Sequence, residues 1–141
     1  MDFFTAMDII ASGLTAERVR MDTTASNLAN ANTTRTPEGG PYKRRDPVFA
    51  TTEAAPSFGS EMSDALRSVE VQEVVTDQQP PRQVYQPGHP DADAQGFVSL
   101  PNVNMIEEMV NMITASRAYD AGVTAMHSLT DMAERALTIG K

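Results

Sequence analysis

The pattern Asp91-Ala92-Asp93-Ala94-Gln95-Gly96 has the D-x-D-x-x-G opening of a calcium loop. Calcium takes six to eight oxygens, so such a loop also needs a two-toothed carboxylate at its twelfth position. Here that position is Asn102, directly after Pro101, and the preceding flank is Pro87-Gly88-His89-Pro90 rather than a helix. The ligand set is incomplete, and an aspartate-rich turn whose side chains bond their own backbone is the simpler reading. The two histidines, His89 and His127, stand apart from each other and from any H-E-x-x-H spacing. Glu107 and Glu108 are adjacent and point to different faces of a helix, where they favour a helix start through the macrodipole. No phosphate-binding glycine loop, nucleotide fingerprint or nucleophile elbow occurs, and nothing assembles a nucleophile, a base and an oxyanion hole. The expectation is a protein that is not an enzyme and carries no metal or cofactor.

The basic run Lys43-Arg44-Arg45 has two readings: a solvated strand edge guarded by charge, or an electrostatic contact with an acidic neighbour. It lies in a chain of 141 residues with a net charge of −8, which argues against a nucleic-acid partner and against anionic lipid. The length suits one domain. Cysteine is absent, which excludes disulfides and thiolate metal sites. No apolar run is long enough to span a membrane. The start, MDFFTAMD, has no basic region and no long apolar core, so no cleaved secretory signal is expected.

Proline divides the chain. All 9 prolines fall from Pro37 to Pro101, together with five of the 8 glycines. Residues 1–34 and 104–141 are therefore free to form long helices, and 35–103 is not. Phe3, Met7, Ile10, Leu14, Glu17, Met21, Thr24 and Leu28 advance by alternating steps of four and three, a heptad rhythm with polar gaps. Asp2 is a candidate N-cap, and the asparagines Asn27, Asn30 and Asn32 mark the helix end. At 1.5 Å per residue the rod is roughly 42 Å long.

Met105, Met109, Met112, Ser116, Tyr119, Val123, Met126, Thr130, Ala133 and Leu137 repeat the rhythm, and Ile106, Val110 and Ile113 widen its start. Asn104 caps this second helix, with Glu107 placed as in a capping box and Gly140 suited to the far end. The length is about 52 Å. Between the helices, Val69–Val75, Gln83–Tyr85, Gly96–Leu100 and Tyr42–Phe49 are strand candidates, residues 50–68 form a loop, and a short helical turn fits Ser60–Leu66. The fold class is thus mainly α with a small β part. It comprises an antiparallel, coiled-coil-like pair of N- and C-terminal helices and a proline-rich extended or β middle segment. Gly13 and Gly122 each cost about 1 kcal/mol inside a helix, which close approach of another segment would explain. The helices can pair with each other, with other chains, or with both.

Several motifs are then familiar together. Ser12-Gly13-Leu14, Arg20 and Ala25-Ser26-Asn27-Leu28-Ala29-Asn30-Ala31-Asn32-Thr33-Thr34 resemble the N-terminal signature of bacterial flagellar rod and hook axial proteins. Asn102-Val103-Asn104-Met105-Ile106-Glu107-Glu108-Met109-Val110, with Ser116-Arg117-Ala118-Tyr119, resembles the C-terminal one. Gly39-Gly40-Pro41-Tyr42-Lys43-Arg44 and Tyr85-Gln86-Pro87-Gly88-His89-Pro90-Asp91-Ala92-Asp93 narrow the likeness to the FlgC-type proximal rod family.

The resemblance implies a structural subunit of the flagellar basal body, in a periplasmic rod that carries torque and encloses the export channel. It further implies secretion by the flagellar type III export apparatus without a cleaved signal. The implied partners are other rod proteins, the rod-base adaptor and further copies of the chain. The subunit-packing seam would be Phe3, Met7, Ile10, Leu14, Met21 and Leu28 with Met105, Ile106, Met109, Met112, Ile113, Tyr119, Val123, Met126 and Leu137. The family-motif residues are Asn27, Leu28, Ala29, Asn30, Thr33, Asn104, Glu107, Ser116 and Arg117. The rival is a soluble helical export chaperone or adaptor, which would use the same stripe as a discrete dimer.

Overall fold

The computed structural model describes residues 3–53 and 66–139. The caps expected at Asp2 and Gly140 lie outside them, as does the helical turn at 60–66 except for Leu66, which is not helical. The first helix, α1, runs Phe3–Ala29, and the second, α2, runs Met105–Ile139. Both keep to the proline-free ends of the chain. Asn104 caps α2: its Oδ1 accepts the Ile106 amide at 3.1 Å, and its carbonyl accepts the Glu108 amide at 3.0 Å. The cap rests on Asn104, and Glu107 faces outward.

The helices run antiparallel. Asn27, near the end of α1, meets Glu108 near the start of α2, and Leu14 meets Gly122 further along. At Gly122 an added Cβ would lie 2.8 Å from Leu14 Cδ2, so α1 packs closely against this glycine. Gly13 has nothing within 4 Å of the same position and lies open. The buried residues of the helices are small or polar: Ala16, Thr24 and Asn27 on α1, Glu108 and Ala115 on α2. The large apolar side chains flank this line or face away from it.

Two antiparallel ribbons occupy the middle. Strand β1 (Arg45–Glu53) pairs with β2 (Arg67–Thr76), and β3 (Arg82–Tyr85) pairs with β4 (Phe97–Leu100). Three of the expected strands appear within a residue or two. The fourth starts at Arg45 rather than Tyr42 and continues to Glu53, into the stretch expected to be loop. Pro47 is tolerated because each strand of a two-stranded ribbon has an unpaired edge. A bulge at Gln72, where Val48 faces Glu73 and Phe49 faces Val71, breaks the alternation of β2. Val69, Val74 and Val75 are exposed, so β2 leaves most of its valines uncovered in the single chain.

The β1–β2 ribbon lies along α1, with the Val69 amide donating to Ser12 Oγ at 3.1 Å. The small core sits at the other end of α1, where Ala31, Tyr42 and Val103 are buried together. None of the described helices is long and apolar enough to cross a membrane.

Candidate functional site

The chain leaves α1 at a motif that closes on itself. Asn30 holds the Ser26 carbonyl twice, with its backbone amide at 3.1 Å and its Nδ2 at 2.9 Å. The Thr33 hydroxyl holds Asn30 Oδ1 at 3.2 Å. Gly39 and Gly40 then take φ of 90° and 78°, a left-handed pair that only glycine adopts without strain. They reverse the chain, so that the Tyr42 amide returns to the Thr33 carbonyl at 3.0 Å. This reversal lays Tyr42, Arg44 and Arg45 beside the end of α1.

Asn27 is the hub on which these segments converge. It is 1% exposed, and its amide uses all four of its hydrogen-bonding positions. Its Nδ2 donates to the Arg45 carbonyl at 2.8 Å and to Glu108 Oε2 at 3.1 Å. Its Oδ1 accepts from the Tyr42 hydroxyl at 3.0 Å and the Arg45 amide at 2.9 Å. Glu108, also 1% exposed, places its other oxygen 2.7 Å from Arg44 Nε. Arg44 also donates to Asp46. Its backbone is held by Asn102 Oδ1 at 3.3 Å and by the Asp77 amide at 2.8 Å, while Asn102 Nδ2 reaches Asp77 at 3.0 Å. One connected network thus joins the end of α1, the start of β1, the residue after β2, and both Asn102 and the first turn of α2.

Burial works against the Arg44 charge, but the hydrogen bond to Glu108 and the charges of Asp46, Glu108 and Glu107 together outweigh it and raise its pKa. Arginine is protonated throughout the accessible range, so this stabilisation is lost only in strong alkali. The site offers no reacting group: every polar atom of Asn27 and both carboxylate oxygens of Glu108 are occupied from within the chain. It is a joint that sets the angle between the helix pair and the ribbon.

The aspartate-rich turn is equally self-contained. Asp93 Oδ1 accepts the Gln95 amide at 2.8 Å and the Phe97 amide at 2.9 Å. Asp91 accepts the Thr34 hydroxyl at 2.8 Å and pairs with Arg35 at 3.6 Å. His89 Nδ1 accepts the Asp91 amide at 3.1 Å. The turn fastens the β3–β4 ribbon to the loop after α1, and no group of acidic or histidine side chains among the described residues is placed to hold a metal.

The chain is similar to known proteins along its whole length. Residues 5–35 match the family described as flagella basal body rod protein, and residues 94–139 match the flagellar basal body rod FlgEFG protein C-terminal family. The flagellar basal-body rod protein FlgC of Borreliella burgdorferi is 42% identical, with 99% of this chain and 98% of the relative covered. The FlgC proteins of Escherichia coli O6:H1 and Bacillus subtilis are 40% and 38% identical, with both chains covered in full. The chain belongs to the FlgC family of flagellar basal-body rod proteins. It is a structural rod subunit and not an enzyme.

In this FlgC-family chain the motif residues separate into two groups. Asn27, Asn30, Thr33 and Asn104 carry hydrogen bonds that hold the joint and the helix ends. Glu107, Ser116 and Arg117 are exposed, Ala29 is exposed and Leu28 is half-buried. Of the seam residues, Phe3, Met7, Ile10, Leu14 and Met21 on α1 are half-buried, as are Met112, Tyr119, Val123 and Met126 on α2. Met105, Ile106, Met109, Ile113 and Leu137 are exposed and are not gathered into the intramolecular contact.

Sequence reasoning misses Glu108 and Arg44, because it takes Glu108 as a charge at a helix start and Arg44 as part of a surface run. The available signal is an alternative spacing, Glu108, Met112, Ala115 and Tyr119, which shares Met112 and Tyr119 with the seam and replaces Met109 and Ser116 by the buried Glu108 and Ala115.

Proposed function

We propose that the two helices are the polymerising part of the subunit and that their exposed apolar side chains are covered by neighbouring subunits in the rod. The observation that carries this reading is the outer face of α2. Ile106 is 74% exposed, Val110 58% and Ile113 54%, and they follow one another at i, i+4 and i+7. On an isolated soluble helix such a stripe is an uncompensated exposure of apolar surface. In a rod subunit it is an interface. Coiled-coil-like packing of the terminal helices belongs to that assembled state, in which heterologous contacts with a non-closing rotation build a tube.

The tube encloses the export channel and carries torque across the periplasm. The subunit reaches it through the flagellar type III export apparatus without a cleaved signal, and its neighbours are other rod proteins and the rod-base adaptor. The exposed apolar face supports the burial against neighbours, and membership of the rod family supports the place in the rod.

The test is Ile106→Asp, with Val110→Asp as a second variant. Both side chains point away from α1, so the isolated chain keeps its helical circular dichroism while incorporation into purified basal bodies and swimming are lost. Normal swimming in both variants would remove this face from the assembly surface.

A further inference from the structure

The outer stripe of α2 ends in a charge. At 100° per residue, Ile106, Val110, Ile113 and Arg117 fall within an arc of about 60°, on the side of α2 opposite Ala115, which is buried against α1. Arg117 is exposed.

A second feature is its complement. Between α1, α2 and the β1–β2 ribbon lies an open, mainly apolar groove of about 360 Å³, formed by Ile10, Leu14, Phe49, Val69 and Gly122, with Glu17 at its wall. Glu17 Oε2 is closed off from solvent and has no hydrogen-bond partner. Arg20 Nη1, one turn along α1, forms an ion pair with it at 3.8 Å without donating a hydrogen bond, and the Glu17 side chain as a whole is 25% exposed. That oxygen therefore still has room for a direct donor, and a guanidinium meets a carboxylate oxygen with a charge-assisted hydrogen bond. Phe49 and Val69 at the groove rim are themselves exposed, so the groove is uncovered on the ribbon side.

We propose that this groove receives the α2 stripe of a second copy of the chain, with Ile106, Val110 and Ile113 against the apolar lining and Arg117 supplying the donor to Glu17. The inference rests on the assembly reading and adds which two surfaces meet. Both halves are present in every copy, and the stripe points away from its own α1. One copy therefore cannot satisfy itself, and the contact is head-to-face. Such a contact propagates instead of closing into a dimer. The charge pair would be desolvated on docking and would fix the register along the groove.

The test uses the absence of cysteine from the chain. Glu17→Cys and Arg117→Cys variants are co-produced in a flagellated cell. Basal bodies are purified and treated with a short bismaleimide cross-linker, since the span between two such long side chains exceeds that of a disulfide. The expected result is a product of twice the chain mass in the mixed sample and in neither variant alone. In parallel, Glu17→Arg and Arg117→Glu each lower association by more than roughly tenfold, read as rod yield, and the two together restore it.

If both cysteine variants enter basal bodies and no such product forms, the second copy is not the occupant, and another rod subunit or nothing covers the groove. If the charge-reversed pair fails to restore rods while each single variant keeps its helical circular dichroism, the Glu17–Arg117 pairing is wrong. Absence of the unmodified chain from basal bodies is a separate outcome, and it would overturn the assembly reading itself.

Discussion

Asn27, Arg44 and Glu108 show how little apolar surface holds this subunit's elements at their angle. The core around Ala31, Tyr42 and Val103 is small, and the joint depends on a buried carboxylate held by a partly buried guanidinium. A buried pair of this kind adds little net stability, yet breaking it from one side is expensive because the remaining charge is stranded. Glu108→Gln should therefore destabilise the isolated chain by roughly 1–3 kcal/mol, since Arg44 loses its buried partner but keeps Asp46, measured as a lowered urea midpoint. Replacing both partners, Arg44→Met with Glu108→Met, should recover part of that loss: Asn27 keeps its bonds to Tyr42 and Arg45 but loses the acceptor for one buried N–H. A double variant as weak as the single one would show that the pair itself, and not the stranded charge, carries the stability.

At the scale of elements, the two helical glycines make opposite predictions from the same residue type. Gly13 faces open space, so Gly13→Ala removes a helix penalty of about 1 kcal/mol and should raise the thermal midpoint of the free chain. Gly122 faces Leu14 at a distance no Cβ tolerates. Gly122→Leu should force the helices apart and cost roughly 1–3 kcal/mol, with a matching fall in the midpoint. Equal shifts in both variants would mean that α1 and α2 do not touch at Leu14 in solution.

Sequence alone predicts a close approach at both glycines, and its heptad rhythm predicts a seam of large side chains. The fully buried apolar residues of the helix pair are instead Ala16 and Ala115, while Leu14 of the predicted seam packs against Gly122. Small residues let two helices approach closely, a role that a pattern of hydrophobicity does not mark.

Across the whole molecule, order is unevenly distributed. The network at Asn27 and Glu108 ties four segments at one end of the helix pair, while the opposite end, with Phe4 and Leu137 uncovered, has few partners. Hydrogen exchange of the isolated protein should show the strongest protection near residues 24–30 and 106–112 and the weakest near 3–9 and 130–139, because local opening follows the density of buried contacts. Purified basal bodies should show protection along both helices. Uniform protection in the isolated chain would mean that the helices need no neighbours.

The positions of α1 and α2, the cap at Asn104, the turn at Asp93 and three of the four strands were legible from the sequence because they follow from proline placement, local hydrogen bonding and short-range periodicity. Membership of the rod family was legible from motifs spread over nearly the whole chain. What only the tertiary structure decided is which polar side chains go inside. Asn27 and Glu108 lie far apart in sequence, Arg44 reaches their joint through the Gly39-Gly40 reversal, and no local rule links them. The tertiary structure also decided that Ile106, Val110 and Ile113 face away from α1. Periodicity reports that a face is apolar, and the folded chain reports whether anything within it is there to cover that face.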